Sequence, residues 1–210
     1  MEEFKFTNNW FQSTAKNVWD KVVPQIKPHK ILEVGTYEGA SACYMVQQMA
    51  NVFPIELHCI DTWAGGVEHQ SGGFVESDMP SVEERFNHNI ARAIKLAAYQ
   101  VDLTVHKCFS DEALAKLLVA GKKNYFDFIY IDGSHQAPDV LADAVLAFKL
   151  LRVGGLIVFD DYLWSENMPY GKDPLRCPKP AIDAFVNLNF RKLQIITAPL
   201  CQLYVQKLTD

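Results

Sequence analysis

A chain of 210 residues with 49% hydrophobic and 21% charged side chains has enough apolar material for one sizeable core and the composition of an ordinary globular protein. Its formal net charge of -5 gives no electrostatic reason to expect a nucleic acid or an anionic membrane as partner. No apolar run approaches the roughly 20 residues that span a bilayer, and the acidic opening "MEEFKF" is followed by no apolar signal segment. Cys43, Cys59, Cys108, Cys177 and Cys201 form no C-x-x-C pair, which reads as reduced thiols in a cytoplasmic protein and not as a disulfide framework.

In chain order, "TNNWFQSTAKNVWDKVV" places Trp10, Phe11, Val18, Trp19, Val22 and Val23 at helical spacing, with Pro24 and Pro28 punctuating it. The two tryptophans of this helix are expected in core packing or a homodimer contact. "KILEVG" reads as a strand, "GASACYMVQQMA" as a helix and "IELHCID" as a second strand. A Gly-rich connection over residues 62–80 leads to a helix expected to begin at Ser81, where Glu84 completes a capping box. "VDLTVHKCF" alternates like a strand near a sheet edge, and Ser110 is placed to cap the helix "DEALAKLLVA" that Gly121 ends.

"FDFIYID" and "LIVFDD" are apolar until their last residues, as central parallel strands covered on both faces should be. Between them the pattern predicts a helix from about Pro138 to Leu151, with Gly154-Gly155 after its end. A helix in "KPAIDAFVNL" and strands in "RKLQIITA" and "CQLYVQK" follow. Strand and helix alternate throughout, so the fold class expected is α/β with a doubly wound sheet.

Ligands of such sheets bind at the carboxyl ends of the strands. Here those ends carry Glu33, Asp61, Asp132 and the pair Asp160-Asp161. In the first turn, "EVGTYEGAS", Gly35 and Gly39 allow a sharp bend and close approach of a ligand, and the next helix can receive an anionic group. Tyr37 stands where a nicotinamide dinucleotide fingerprint has its second glycine, so a smaller group such as an amino-acid carboxylate fits better, with the Ser41 hydroxyl available to it. Asp61, about twenty residues on, suits a ribose. Adjacent Asp160 and Asp161 at a strand end repel each other and lose water, which points to a missing positive partner.

"ILEVGTYEGASACYM", "IDTW", "FDFIYIDGSH" and "GGLIVFDDYLW", in this order, resemble the class I S-adenosylmethionine-dependent methyltransferases, and within them the metal-dependent O-methyltransferases of catechol, caffeoyl-CoA and antibiotic sugars. The resemblance covers residues 30–165 and implies a single domain, with 1–28 a helical extension and 29–210 the core of a seven-stranded Rossmann-like sheet. It implies that Glu33, Gly35, Gly39 and Ser41 hold the methionine end of S-adenosylmethionine, Asp61 its ribose, and Ser110 and Asp111 its adenine. It further implies Asp132, Asp160 and Asp161 as ligands of Mg²⁺ or another divalent cation. Asp161 departs from the asparagine usual in the plant and animal enzymes. His135 stands where the catechol-type enzymes have a lysine base, and is the implied base for a small-molecule hydroxyl acceptor; His69 is a second candidate.

Two connections are expected to build the acceptor site: residues 62–80, with Trp63, His69 and Phe74, and residues 162–178, with Tyr162, Trp164, Tyr170, Lys172 and Arg176. Rival readings are a methyltransferase that needs no metal and a non-catalytic S-adenosylmethionine-binding module; a nicotinamide oxidoreductase is disfavoured by the glycine spacing.

Overall fold

A computed structural model describes residues 3–73, 75–166, 169 and 171–210. The chain divides into two compact units, Met1–Phe109 and Ser110–Asp210. Phe74 and Tyr170, both expected in the acceptor loops, lie outside the described residues.

The first unit opens with two helices, α1 (Trp10–Thr14) and α2 (Lys16–Ile26). Pro24 does not end α2 as its missing N–H suggests; it sits in the last turn, and Lys27 closes the helix in the left-handed conformation. Strand β1 (Lys30–Val34), helix α3 (Ala40–Met49) and strand β2 (Ile55–Ile60) follow, then helix α4 (Met79–Leu96) and strand β3 (Val101–His106). The three strands are parallel, β2 lying between β1 and β3. Their burial matches the sequence pattern: β1 is buried from Ile31 to Val34, whereas β3 is largely half-exposed. Helix α4 begins two residues before the predicted Ser81, with Asp78 as its cap residue. Ser81 then bonds to Asp78 instead of forming the predicted box, because Pro80 suits the first turn of a helix and draws its start forward.

Trp19 packs edge-on to Phe11 and Tyr44, with ring centroids 5.1 and 5.8 Å away. Each such aromatic pair contributes about 0.5–1.5 kcal/mol beyond the area it buries. Trp10 lies with its ring 5.4 Å from that of Tyr37. Trp19 is thus a core residue of its unit, whereas Trp10 is 44% exposed and sets only one face against Tyr37.

The second unit contains α5 (Ser110–Val119), β4 (Phe126–Ile131), α6 (Ala137–Leu150), β5 (Leu151–Phe159), α7 (Lys179–Asn189), β6 (Leu193–Ile196) and β7 (Leu203–Lys207). Strand β4 runs parallel to β5, β7 antiparallel to β5, and β6 antiparallel to β7. Gly154 and Gly155 were expected to separate helix from strand, yet both lie inside β5. The register between β4 and β5 shifts there, and Gly154 has φ 81°, so the pair forms an irregularity in the strand that only glycine accommodates cheaply. From Gly155 to Phe159 the strand is buried, as its apolar run requires.

Candidate functional site

The first βα turn, residues 35–39, is built on two left-handed glycines, Gly35 (φ 80°) and Gly39 (φ 79°), with Tyr37 between them also at positive φ. A Cβ on Gly39 would sit 2.9 Å from the Phe86 ring. Gly39→Ala is therefore expected to destabilise the chain by about 2–4 kcal/mol, the sum of a left-handed alanine and local overpacking. An unchanged urea midpoint would show that the turn can relax away from Phe86.

Asp61 fastens this turn to the end of β2. It accepts backbone N–H groups from Thr36 (3.0 Å), Tyr37 (2.8 Å) and Trp63 (2.8 Å). A carboxylate has about four acceptor positions, so this arrangement leaves capacity for a ligand hydroxyl. Burial is the main cause that raises the Asp61 pKa, and the three N–H groups work against it.

Glu33 lies deeper than its place in the motif suggests, with 2% of its surface exposed. Its oxygens accept the hydroxyls of Thr36 (2.9 Å) and Ser41. The Ser41 hydroxyl, expected to be open to a ligand carboxylate, instead serves this buried acid, because a desolvated carboxylate needs donors close by. Burial raises the Glu33 pKa to about 7 despite both hydroxyls.

One residue of the turn, Glu38, was not singled out from sequence. Glu38, buried, accepts the Thr7 N–H (2.8 Å), the Thr7 hydroxyl (2.7 Å) and the Arg85 guanidinium (2.5 Å), tying the N-terminal segment and α4 to the turn. Trp63 is buried against Phe86 (5.0 Å between rings), and its indole N–H donates to the Tyr37 carbonyl at 3.0 Å. It is a packing residue of the turn more than a ring platform. His69 stacks on Tyr37 (5.5 Å) and accepts the Gly66 N–H through Nδ1 (3.1 Å), so its place is in organising the 62–78 connection.

In the second unit the acids gather at the carboxyl ends of β4 and β5. Tyr130, two residues before Asp132 and so on the same strand face, donates its hydroxyl toward Asp132 (3.0 Å) and Asp160. One hydroxyl proton serves one oxygen at a time, so these two carboxylates lie close together. Loss of water and then the charges of Asp160 and Asp161 push Asp132 well above the usual carboxylate range; loss of water and then Asp161 raise Asp160. Gln202, buried just before β7, donates to the Tyr130 oxygen at 3.3 Å and accepts from Tyr204. None of Tyr130, Gln202 and Tyr204 was singled out from sequence; only the strand period linking 130 to 132 carried a signal.

Asp161 has φ 53°, a left-handed conformation that Asp tolerates better than most residues. Its N–H bonds to the Asp160 side chain at 2.8 Å, and its own carboxylate meets His135 Nε2 at 2.8 Å. The His135 ring stacks on Trp164 with centroids 4.3 Å apart. Ser134 supports this loop by bonding Asp139 of α6 at 2.8 Å.

Asp132, His135 and Asp161 offer ligand atoms that all lie within 4.8 Å of one another, the one such group of three among the described residues. A crevice of about 10 Å³ beside this group is bounded by Asp132, Ser134, His135 and Asp160 together with apolar neighbours, and Asp161 is not among its walls. That is about the space of one water, or of a metal ion. The residues present therefore fit a divalent cation: oxygen donors dominate, acid is in excess, and loss of water together with mutual repulsion raises two of the acids. His135 joins Asp132 and Asp161 in the group, while Asp160 is engaged by Tyr130 and the Asp161 N–H.

The 162–178 connection is less open than expected. Tyr162 is pinned to α7 by Asp183 (2.6 Å) and Lys179 (3.0 Å), and Arg176 pairs with Glu166 at 3.0 Å. Lys172 is exposed. Ser110 and Asp111 open α5, where the Asp111 side chain accepts the Glu112 N–H at 2.8 Å.

Residues 32–162 match the methyltransferase domain family, and the chain belongs to that family. An uncharacterized protein of Acanthamoeba polyphaga mimivirus is 32% identical over 142 residues, covering 65% of this chain and 54% of its own. Tricin synthase 1 of Oryza sativa subsp. japonica is 30% identical over 115 residues, covering 51% of this chain and 44% of its own. The chain thus spans about half the length of these curated relatives.

Among solved structures, an O-methyltransferase from Bacillus cereus in complex with S-adenosylhomocysteine superposes with TM-score 0.60 at 18% identity, over 98% of this chain and 84% of its own. The O-methyltransferase TomG from Streptomyces achromogenes, in complex with S-adenosylmethionine, gives TM-score 0.60 at 18% identity over 92% and 79%. The fold is the seven-stranded, mostly parallel Rossmann-like fold of these methyltransferases. No helix among the described residues is long and apolar enough to cross a membrane.

Proposed function

We propose that the protein is an S-adenosylmethionine-dependent O-methyltransferase acting on a hydroxyl of a small molecule, a sugar, phenol or natural product. The observation that carries this reading is the convergence of Asp132, His135 and Asp161 at the β4 and β5 ends, in a chain of the methyltransferase domain family. Binding alone requires neither a base nor a cluster of metal-ligating groups. The structural neighbours named as O-methyltransferases, and the plant relative, support the same reaction class.

In this reading Gly35, Gly39 and Asp61 receive the cofactor on the first unit, with Glu33 and Ser41 holding the turn from beneath. Ser110 and Asp111 are assigned to its adenine. The bound cofactor would supply an electrophilic methyl group, and a cation held by Asp132 and Asp161 with Asp160 would supply Lewis acidity toward the acceptor oxygen. His135 takes the hydroxyl proton as the acceptor oxygen becomes nucleophilic. Asp161 orients the imidazole and stabilises it once protonated, and Trp164 fixes the plane of the ring. Positioning is the remaining task, since the charge of the donor is neutralised as transfer proceeds. A metal-free variant of the reaction is favoured by one observation, the Asp161–His135 contact, which orients a base without a cation.

Calorimetric titration of metal-stripped protein with S-adenosylhomocysteine, with and without Mg²⁺ and a diol such as catechol, separates these readings. The expected result is cofactor-product binding in every condition and diol binding only with Mg²⁺. Activity unaltered by chelator would remove the metal, and no binding of S-adenosylhomocysteine would remove the enzyme reading itself.

A further inference from the structure

The second unit has another cavity, of about 220 Å³, at the end of β4 and β5 opposite the acid cluster. Its walls carry four lysines, Lys123, Lys149, Lys192 and Lys207, against a single acid, Asp210, and its apolar surface comes from residues that include Phe148 and Phe185. No carboxylate among the described residues lies within ion-pair distance of Lys123, Lys149 or Lys192.

Lys207, 2% exposed, is the unusual member. Its ammonium donates to Asn124 Oδ1 (2.7 Å) and to the carbonyls of Leu151 (2.9 Å) and Phe148 (3.1 Å), and it lies 5.0 Å from the centroid of the Phe148 ring. Those three acceptors match the three N–H groups an ammonium has. Asp210 at 2.8 Å is a fourth acceptor, so what it supplies is negative charge beside a buried cation. Its other oxygen accepts from Asn124 Nδ2 at 2.7 Å, and its side chain is 50% exposed. The cavity therefore already receives one carboxylate, on a side chain that half faces solvent. The Asp210 end of this pair is open to solvent, so another anion can take its place without uncovering Lys207.

We propose that this cavity binds a compact organic anion, a single apolar ring or similar group bearing a phosphate or carboxylate, with the anion taking the place of Asp210. The lysines supply the counter-charge and the two phenylalanines the apolar wall. At about 220 Å³ the space is below the ~300–1,000 Å³ of pockets for drug-sized ligands, which suits one ring. Strands β4 and β5 run the length of the unit between this cavity and the acid cluster, so the two sites are separate.

The test is calorimetric or NMR titration of the full chain at low salt with phenyl phosphate, benzoate, inorganic phosphate and benzyl alcohol. Phenyl phosphate is expected to bind saturably with Kd below about 1 mM, at least about tenfold more tightly than inorganic phosphate or benzyl alcohol. The double variant Lys149→Ala/Lys192→Ala should weaken it about tenfold, and Asp210→Asn, which removes the resident carboxylate's charge, should tighten it about three- to tenfold. Absence of saturable binding to about 10 mM, inorganic phosphate binding as tightly, or a Kd indifferent to both variants would each overturn the proposal. These lysines and Asp210 belong to no part of the proposed methyl-transfer machinery, so S-adenosylhomocysteine binding should be the same in all three proteins.

Discussion

Replacing His135 with alanine is expected to lower kcat about 10²- to 10⁴-fold, the usual contribution of a positioned acid or base. Affinity for S-adenosylhomocysteine should stay within about twofold, because the cofactor residues assigned above do not include His135. The size of the effect follows from the surroundings of the ring. Its Nε2 is held 2.8 Å from Asp161, and its face lies on Trp164. An imidazole fixed on two sides is preorganised for proton transfer, so no other side chain can replace it without moving the loop. If His135 served only as a cation ligand, excess Mg²⁺ would restore much of the lost rate in His135→Ala; loss of a base would not respond to metal. A kcat within about twofold of the unaltered protein, at any Mg²⁺ level, would leave the ring as packing for Trp164 alone.

The second large effect concerns stability and centres on Asp143, a side chain of α6 that is 1% exposed. Burial raises its pKa to about 7, neither carboxylate oxygen has a hydrogen-bond partner among the described residues, and the charges of Asp139 and Asp111 add to the rise. An acid whose pKa is higher folded than unfolded keeps its proton longer in the native state. Stability is then greatest at low pH with respect to this group, falls as pH rises from near 4, and levels off above about 7. A rise from near 4 to about 7 corresponds to an upper bound near 4 kcal/mol.

Asp143→Asn is accordingly expected to raise stability at pH 8 by about 1–4 kcal/mol and to change it little at pH 5. Glu33, also raised to about 7, gives a slope of the same sign, so the informative quantity is the difference between variant and unaltered protein across pH. Urea unfolding at pH 5 and pH 8 supplies it. Equal differences at the two values would mean that Asp143 does not change its protonation between them.

Element identity was largely legible in the sequence, because hydrophobic period follows from which faces are covered. The apolar runs ending at Asp132 and Asp160 could only be strands buried on both sides, and they are. Boundaries were less legible where two local rules competed. Pro80 drew α4 forward past the Ser81 signal, and β5 extended back through Gly154-Gly155 because strand pairing outweighed a turn preference. Pro24 ended nothing, since one lost hydrogen bond in a last turn is a small penalty beside the packing of Trp19 and Val23.

The order of residues along the chain was enough to place glycines in the first turn, an acid at the end of β2, and acids at the ends of β4 and β5. Those follow from position along a strand, which is local. Which of these groups meet emerged only from the folded chain. Glu33 and Ser41 satisfy each other, Asp61 clasps three backbone N–H groups, and Asp161 turns through a left-handed backbone toward His135. Tyr130, Gln202 and Asp143 gained their roles the same way. A side chain's partners depend on distances between segments remote in sequence, and no spacing along one segment encodes them.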